Sequence, residues 1–331
     1  MDRSELLHSW LETQLGKGFT LSAPIGDASS RRYFRATLAD GSTRIAMDAP
    51  PPGQDCRPFV KIAHLLQPAM RVPAVLAQDL EQGFLLLDDL GSVDYQTALK
   101  ATDETAARAL YLAAIDALVA MQAQVATDAL PAYDAETMVA DLDRFSEWYA
   151  SRHLGQPLQG DELAVWERSR ALLVARAQSQ AKVCIHFDYH ARNLMAGERP
   201  GVLDFQDARV GPVTYDLASL LKDMYIVWPE DFRLDLCIRY WEKARKAGLA
   251  VPASFDDFYA DFEWVGVFRH IRTLGTFARL AHRDGKMAYV DDMPAALDYL
   301  RATCTRYSEL LPLGKLLNRL TGFHTTVAYT F

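Results

Sequence analysis

The chain has 331 residues, which at roughly 150 residues per domain makes about two domains or one large two-lobed unit. Half of the residues are hydrophobic and 24% are charged, an ordinary globular balance, and 18 Gly with 15 Pro leave little room for long disorder. A net charge of −8 disfavours a nucleic-acid partner, for which a basic chain is the usual sign.

Residues 2–15 read as a helix, with Leu6, Leu7, Trp10, Leu11 and Leu15 at helical spacing and Gly16 and Gly18 as stops. The period then changes to that of strands at 19–24, 32–38 and 42–49, the last entered through an Asp40-Gly41 turn. PPPG at 50–53 breaks the chain. A short helix at 55–67 follows, then a hairpin from residues 72–80 and 84–90. Beyond Gly91 the pattern is mainly helical, at about 103–126, 134–153, 160–180, 213–225, 230–247, 255–283 and 291–309. One stretch, 182–208, interrupts it with short apolar strands around a polar loop.

The expected fold class is therefore α+β and bilobal: a small antiparallel β lobe over residues 1–90 and a large, mainly helical lobe over 91–331, with ligand between them. The apolar stretch at 109–121 is interrupted by Asp116 and short for a bilayer, and no leader-like segment opens the chain, so no membrane partner is expected. Cys56, Cys184, Cys237 and Cys304 lie tens of residues apart, the pattern of reduced, mostly buried thiols in a cytoplasmic protein.

The chemistry concentrates in the interrupting stretch, which reads His186-Phe187-Asp188-Tyr189-His190-Ala191-Arg192-Asn193, with Asp204 following between Leu203 and Phe205. Phosphoryl transfer from ATP needs a carboxylate to orient a hydroxyl and oxygen ligands for Mg²⁺ beside the phosphates. Asp188 fits the first role, and Asn193 with Asp204 the second. The spacing H-x-D-x-x-x-x-N should arise about 0.004 times by chance in a chain of this composition. The bland alternative, in which these side chains only brace a loop, leaves the Asp204 strand and the β lobe without a role. His186 would fix the loop through hydrogen bonds; its spacing to His190 falls in a loop, so zinc is not expected.

The order of lobes and the segments HFDYHARN and LDFQDA resemble the aminoglycoside phosphotransferase family, which shares the protein-kinase-like fold. The likeness covers nearly the whole chain. It implies ATP as phosphoryl donor, Asp188 as catalytic base and Asn193 and Asp204 as Mg²⁺ ligands. Tyr215-Asp216-Leu217-Ala218 is similar to a family segment whose Asp braces the catalytic loop; the other reading of Asp216 is an ordinary helix N-terminal acid. Within the family, the segments at 26–35, 45–51, 84–91, 188–195 and 269–286 look like the anomeric amino-sugar kinases of bacterial cell-wall recycling. That likeness implies N-acetylmuramate and N-acetylglucosamine as acceptors. Aminoglycosides, choline-like amines or another small alcohol stay open as alternatives, as does a non-catalytic nucleotide binder.

The sequence departs from the kinase pattern in three places. Met47 stands where the third strand usually carries a phosphate-contacting lysine, so Arg32, Arg44, Lys61, His190 or Arg192 must supply the cation. Phe187 replaces the family's glycine. The phosphate loop carries a single glycine, Gly26, with Ala28, Ser29 and Ser30 as small residues that still admit phosphate to the backbone. Asp88, Asp89 and Leu90 fall at the hinge that would bond the adenine edge. For the acceptor, Tyr189, His190, Arg192, Arg269 and Arg272 are the candidates. Arg269, Arg272, Thr276, Arg279 and Arg283 share one helical stripe, which is either a solvated face or one that meets an anion such as the lactyl carboxylate.

Overall fold

The computed structural model of the chain describes residues 2–25 and 31–323. The Gly26, Ala28, Ser29 and Ser30 phosphate-loop candidates lie outside the described residues, as does the tail from residue 324.

Packing groups the chain into two compact units, residues 1–126 with 192–208 and residues 127–191 with 209–331, where the sequence suggested one division at residue 90. In the first unit, α1 (Arg3–Leu15) begins in a capping box between Asp2 and Glu5. It is followed by β1 (Thr20–Leu21), β2 (Arg32–Thr37), β3 (Thr43–Asp48), α2 (Arg57–Leu66), β4 (Val75–Asp79) and β5 (Phe84–Asp88). The five strands form one antiparallel sheet in the order β1-β2-β3-β5-β4. Alternation along β3 and β5 decides the core: Ala46, Phe84 and Leu86 face α1 and pack with Leu7 and Leu11. Met47 and Leu85, paired across the strands, point the other way and are also buried.

Two helices not separated at residue 90 belong to this unit, α3 (Tyr95–Lys100) and α4 (Glu104–Gln124). Capping by Asp94 and Asp103 starts them, and the Tyr95 hydroxyl donates to Leu110 O at 3.2 Å. By length and composition α4 is apolar enough to cross a membrane, but its Tyr111, Ala114, Ile115 and Leu118 stripe is buried within the fold. A hairpin completes the unit, and the intervening β6 (Lys182–Ile185) belongs to the other. The hairpin's strands are β7 (Leu194–Met195) and β8 (Gly201–Val202). Ala196 N donates to Val93 O and Val202 N to Arg71 O, both at 2.8 Å, which ties the hairpin to the segments before α3.

In the second unit β6 pairs antiparallel with β9 (Arg209–Pro212). Around this pair stand α5 (Ala135–Arg144), α6 (Gly160–Ser179), α7 (Tyr215–Leu221), α8 (Glu230–Lys246), α9 (Phe255–Asp284), α10 (Met293–Arg306) and α11 (Leu311–Thr321). The helical pattern expected over 134–153 divides at Arg144, after which Phe145–His153 winds as a π-helix. The thirty-residue α9 organises the unit, packing on α5, the π-helix, α6, α7 and α10. Gly275 permits this: a Cβ there would lie 2.5 Å from the Arg144 carbonyl carbon and 2.6 Å from Phe145 N, so only glycine brings α9 against the α5 junction. All four cysteines are buried and free.

Candidate active site

The residues that precede and follow Asp188 are held by two acids that come later in the chain. β6 is apolar and buried from Val183 to Ile185 and delivers the chain to His186. There the carboxylate of Asp216, in the first turn of α7, accepts the His186 N–H at 2.6 Å and the Phe187 N–H at 3.0 Å, one on each oxygen. Past the bend, Asp223 accepts the Ala191 N–H and the Tyr225 N–H, each at 2.9 Å. Asp216 and Asp223 are both buried, so the loop between them is pinned at its two ends. Burial raises the Asp216 pKa to about 6, against the opposing pull of His186 and the two N–H donors.

The pinned loop places Phe187 at φ +84°, a left-handed conformation that costs a non-glycine residue about 1–2 kcal/mol. This explains why a glycine suits the position, and the side chain accounts for what holds a phenylalanine there. Its ring stacks on Tyr215 at 5.4 Å and meets the edge of Tyr133 at 5.2 Å. The guanidinium carbons of Arg209 and Arg272 lie 3.8 and 3.9 Å from its centre.

Asp188 follows directly. Its N–H donates to His186 Nδ1 at 3.3 Å, which requires the imidazole proton, if single, on Nε2. Its side chain is about a third exposed, and Arg272 Nη1 lies 3.6 Å from its carboxylate. Burial pushes the carboxyl pKa up, but Arg272 first, then His190, Arg269 and His186, outweigh it and hold it below the usual carboxylate range. Arg272 is in turn aimed by Asp141, which accepts its Nε–H at 3.2 Å, Arg144 Nη1 at 2.6 Å and the Tyr133 hydroxyl at 2.7 Å. Arg269 is buried beside Tyr215. Tyr189, read from sequence as an acceptor contact, is completely buried in a T-shaped contact with His186, and His190 makes one with Tyr225 at 5.3 Å.

The two residues expected to ligate a metal belong to the other unit and flank the short hairpin. Pairing of Leu194 with Val202 sets Asn193 opposite Leu203, whose N–H donates to the Asn193 carbonyl at 2.9 Å. Asp204 comes next, exposed, at φ +60°, a conformation Asp tolerates. Phe205 anchors it by burying its ring 4.7 Å from Phe59 of α2. Gln206 Nε2 donates to Asp204 Oδ1 at 2.7 Å, and no cation forms an ion pair with Asp204 among the described residues. No cluster of three or more His, Cys, Asp or Glu able to hold a metal ion occurs among them either. One carboxylate plus one amide oxygen, open to solvent, suits Mg²⁺, which fills its remaining positions with water and phosphate; it does not suit a protein-caged zinc.

The remaining nucleotide candidates are engaged within the first unit. Arg32 donates to the buried Asp48, which Arg3 binds from the other side. Asp88 accepts the Ala74 N–H at 2.5 Å, and Asp89 pairs with Arg35 while accepting the Gly91 N–H. Leu90 is buried against Gly201, where a Cβ would lie 2.9 Å from its side chain. Met47 is wholly buried between Tyr33 and Leu85, a place with no room for a solvated ammonium. Of the substitute cations, Arg44 bonds Thr43 O at 2.7 Å, Lys61 is exposed on α2, and Arg192 is exposed with its Nε 3.2 Å from Gln96. Sequence reasoning missed Tyr133, Asp141, Arg209 and Asp223. No local motif marks them; Tyr133, Arg209 and Asp223 show only by meeting residues 187–191, and Asp141 by holding Arg272.

The model of the Phosphotransferase enzyme family matches residues 20–249. Over 325 residues the chain is 47% identical to a protein of Neisseria meningitidis named N-acetylmuramate/N-acetylglucosamine kinase, covering 97% of both. A protein of the same name from Pseudomonas aeruginosa is 46% identical, over 96% of this chain and 97% of that one. The fold is similar to that of an ADP-bound aminoglycoside phosphotransferase, at a TM-score of 0.61 and 15% identity over 89% of this chain and 97% of the other. A Plasmodium vivax ethanolamine kinase gives 0.65 at 10% identity, covering 91% and 87%. Its family match over residues 20–249, its kinase-like fold and its near full-length identity to named kinases together place this chain in the Phosphotransferase enzyme family.

Proposed function

We propose that this protein is an ATP-dependent sugar kinase that phosphorylates the anomeric hydroxyl of N-acetylmuramate and N-acetylglucosamine. The names of relatives at 46–47% identity across nearly the whole chain support the acceptor. The observation that carries the chemistry is Asp188: an ionised, partly open carboxylate on a loop locked at both ends, with Arg272 beside it.

Asp188 orients the acceptor hydroxyl and takes its proton as the new oxygen–phosphorus bond forms and the bond from the γ-phosphorus to the β,γ-bridging oxygen breaks, releasing ADP. A carboxyl held below its usual range is a weak base, so proton transfer comes late. That suits a loose transition state in which the nucleophile needs little prior activation. A hemiacetal hydroxyl, more acidic than an ordinary alcohol, suits such a base. Arg272, fixed by Asp141, keeps Asp188 ionised and offers guanidinium N–H groups on the acceptor side. Asn193 and Asp204 would hold Mg²⁺, which would supply positive charge to offset that of the phosphates. Asp216 and Asp223 position the loop without touching substrate. The guanidinium groups of Arg269 and Arg272 repel a polycation, which weighs against an aminoglycoside or choline-like acceptor. Four reduced thiols and the use of ATP support a cytoplasmic setting.

Phosphorus NMR of the protein with Mg·ATP and each acceptor tests the reading. A sugar 1-phosphate from the two amino sugars, and none from kanamycin or choline, is the expected result. Phosphate on kanamycin or choline instead would overturn the acceptor assignment.

A further inference from the structure

From residue 261 to 278, α9 is buried except at Arg272 and Thr276, and the partial exposure continues at Arg279. Steps of four and three residues put these three side chains on one side of the helix. The same stripe carries polar atoms that are closed to solvent and have no hydrogen-bond partner among the described residues: Arg269 Nε, Thr276 Oγ1 and Arg279 Nε. An unmet buried donor costs about 1–3 kcal/mol, so the partly exposed Thr276 and Arg279 side chains gain by turning these groups toward a ligand.

The charges around Arg279 point the same way. Burial, and then the guanidiniums of Arg144 and Arg283, hold its pKa below the usual arginine value. The nearby acids are already engaged. Asp284 pairs with Arg283 at 2.7 and 2.9 Å, and Asp141 is shared among Arg144, Arg272 and Tyr133. Positive charge therefore outweighs negative around Arg144 and Arg279.

We propose that Thr276 and Arg279, with Arg144 beside them, form a carboxylate subsite that takes the acidic side arm of the acceptor whose hydroxyl lies at Asp188. This rests on the kinase reading above and names what selects within it. Arg272 reaches Asp188, and Thr276 and Arg279 follow about 6 and 10.5 Å further along the helix at 1.5 Å per residue. A pyranose ring with one carboxylate-bearing arm spans that gap. The Arg279 guanidinium supplies two N–H groups in the fork that matches a carboxylate, and the Thr276 hydroxyl a further donor. Of the two sugars only N-acetylmuramate has such an arm, so the subsite acts on the preference between them.

Steady-state kinetics with Mg·ATP and each sugar test this on the wild type and on Arg279→Gln, Arg279→Lys and Thr276→Val. Arg279→Gln should raise KM for N-acetylmuramate about tenfold or more beyond its effect on N-acetylglucosamine, the size expected for a lost charge-assisted hydrogen bond. Arg279→Lys keeps the charge and should recover part of that ratio, and it also serves if the glutamine variant does not fold. Thr276→Val should shift the ratio in the same direction by less. Equal shifts for both sugars, or none, in variants of a wild type that phosphorylates both, would overturn the subsite alone. A wild type that phosphorylates neither sugar removes the kinase reading and the subsite with it.

Discussion

Replacing Asp216 by asparagine isolates the electrostatic cost of the acid that braces the Asp188 loop. The carboxyl is fully buried and its pKa is raised from 3.8 to about 6, chiefly by burial. An acid whose folded pKa is raised binds its proton more tightly when folded, so stability falls as pH climbs from about 4 through 6. The whole difference of about two units corresponds to about 3 kcal/mol, of which about 1.4 kcal/mol falls between pH 5 and pH 8. The amide in the Asp216→Asn variant does not titrate. It offers its carbonyl to one of the His186 and Phe187 N–H groups and turns its nitrogen to the other, a pH-independent loss of about 1–3 kcal/mol. Urea unfolding of both proteins at pH 5 and pH 8 should therefore show the wild type's advantage over Asp216→Asn shrinking by about 1.4 kcal/mol at the higher pH. An advantage that stays level, or widens with pH, would refute the reasoning, because it would mean that the two N–H donors compensate the buried charge in full.

Asp188→Asn should lower kcat by about 10²–10⁴-fold while Mg·ATP affinity stays near that of the wild type; near-normal turnover by a folded variant removes Asp188 as the base. Asp204→Ala should weaken Mg·ATP binding in titration calorimetry, and unchanged affinity would count against its place at the metal. Phe187→Gly relieves the positive φ but gives up a buried ring held by Tyr215, Tyr133, Arg209 and Arg272, so thermal unfolding should show a net loss of about 2–4 kcal/mol. A gain in stability would mean that backbone strain dominates at this position. Gly275→Ala should cost about 1–3 kcal/mol through the clash with the Arg144–Phe145 backbone, and a neutral result would show that α9 can move aside.

Much of the molecule was legible in the linear chain because the deciding interactions are local. Leu7 and Leu11 at helical spacing, the alternation through Ala46 and Met47, and the turn before β5 each depend on neighbours within a few residues. The same holds for Asp188 and Asn193: their five-residue separation is a property of one loop, and the strand before it and the hairpin after it are readable as short apolar runs. The π-helix after Arg144 was not legible, since 3.6-residue spacing does not report a change of winding. Asp141 and Asp223 were not legible either, being single acids with no motif around them.

What the chain order alone could establish was the class of chemistry, carried by residue types at short fixed spacings. What packing decided was the state and use of those residues. The arginine stripe of α9 reads equally as a solvated face or as a recognition surface until burial is known. Arg283 then proves solvent-facing and paired with its neighbour Asp284, Arg269 proves buried, and Arg272 proves set between Asp141 and Asp188. In the same way Asp216 is a helix N-terminal acid by position and a two-point brace by contact with residues some thirty positions earlier. The physical reason is common to both: desolvation and charge pairing act through space over a few ångströms, and distance along the chain carries no information about them once the helices and strands have packed.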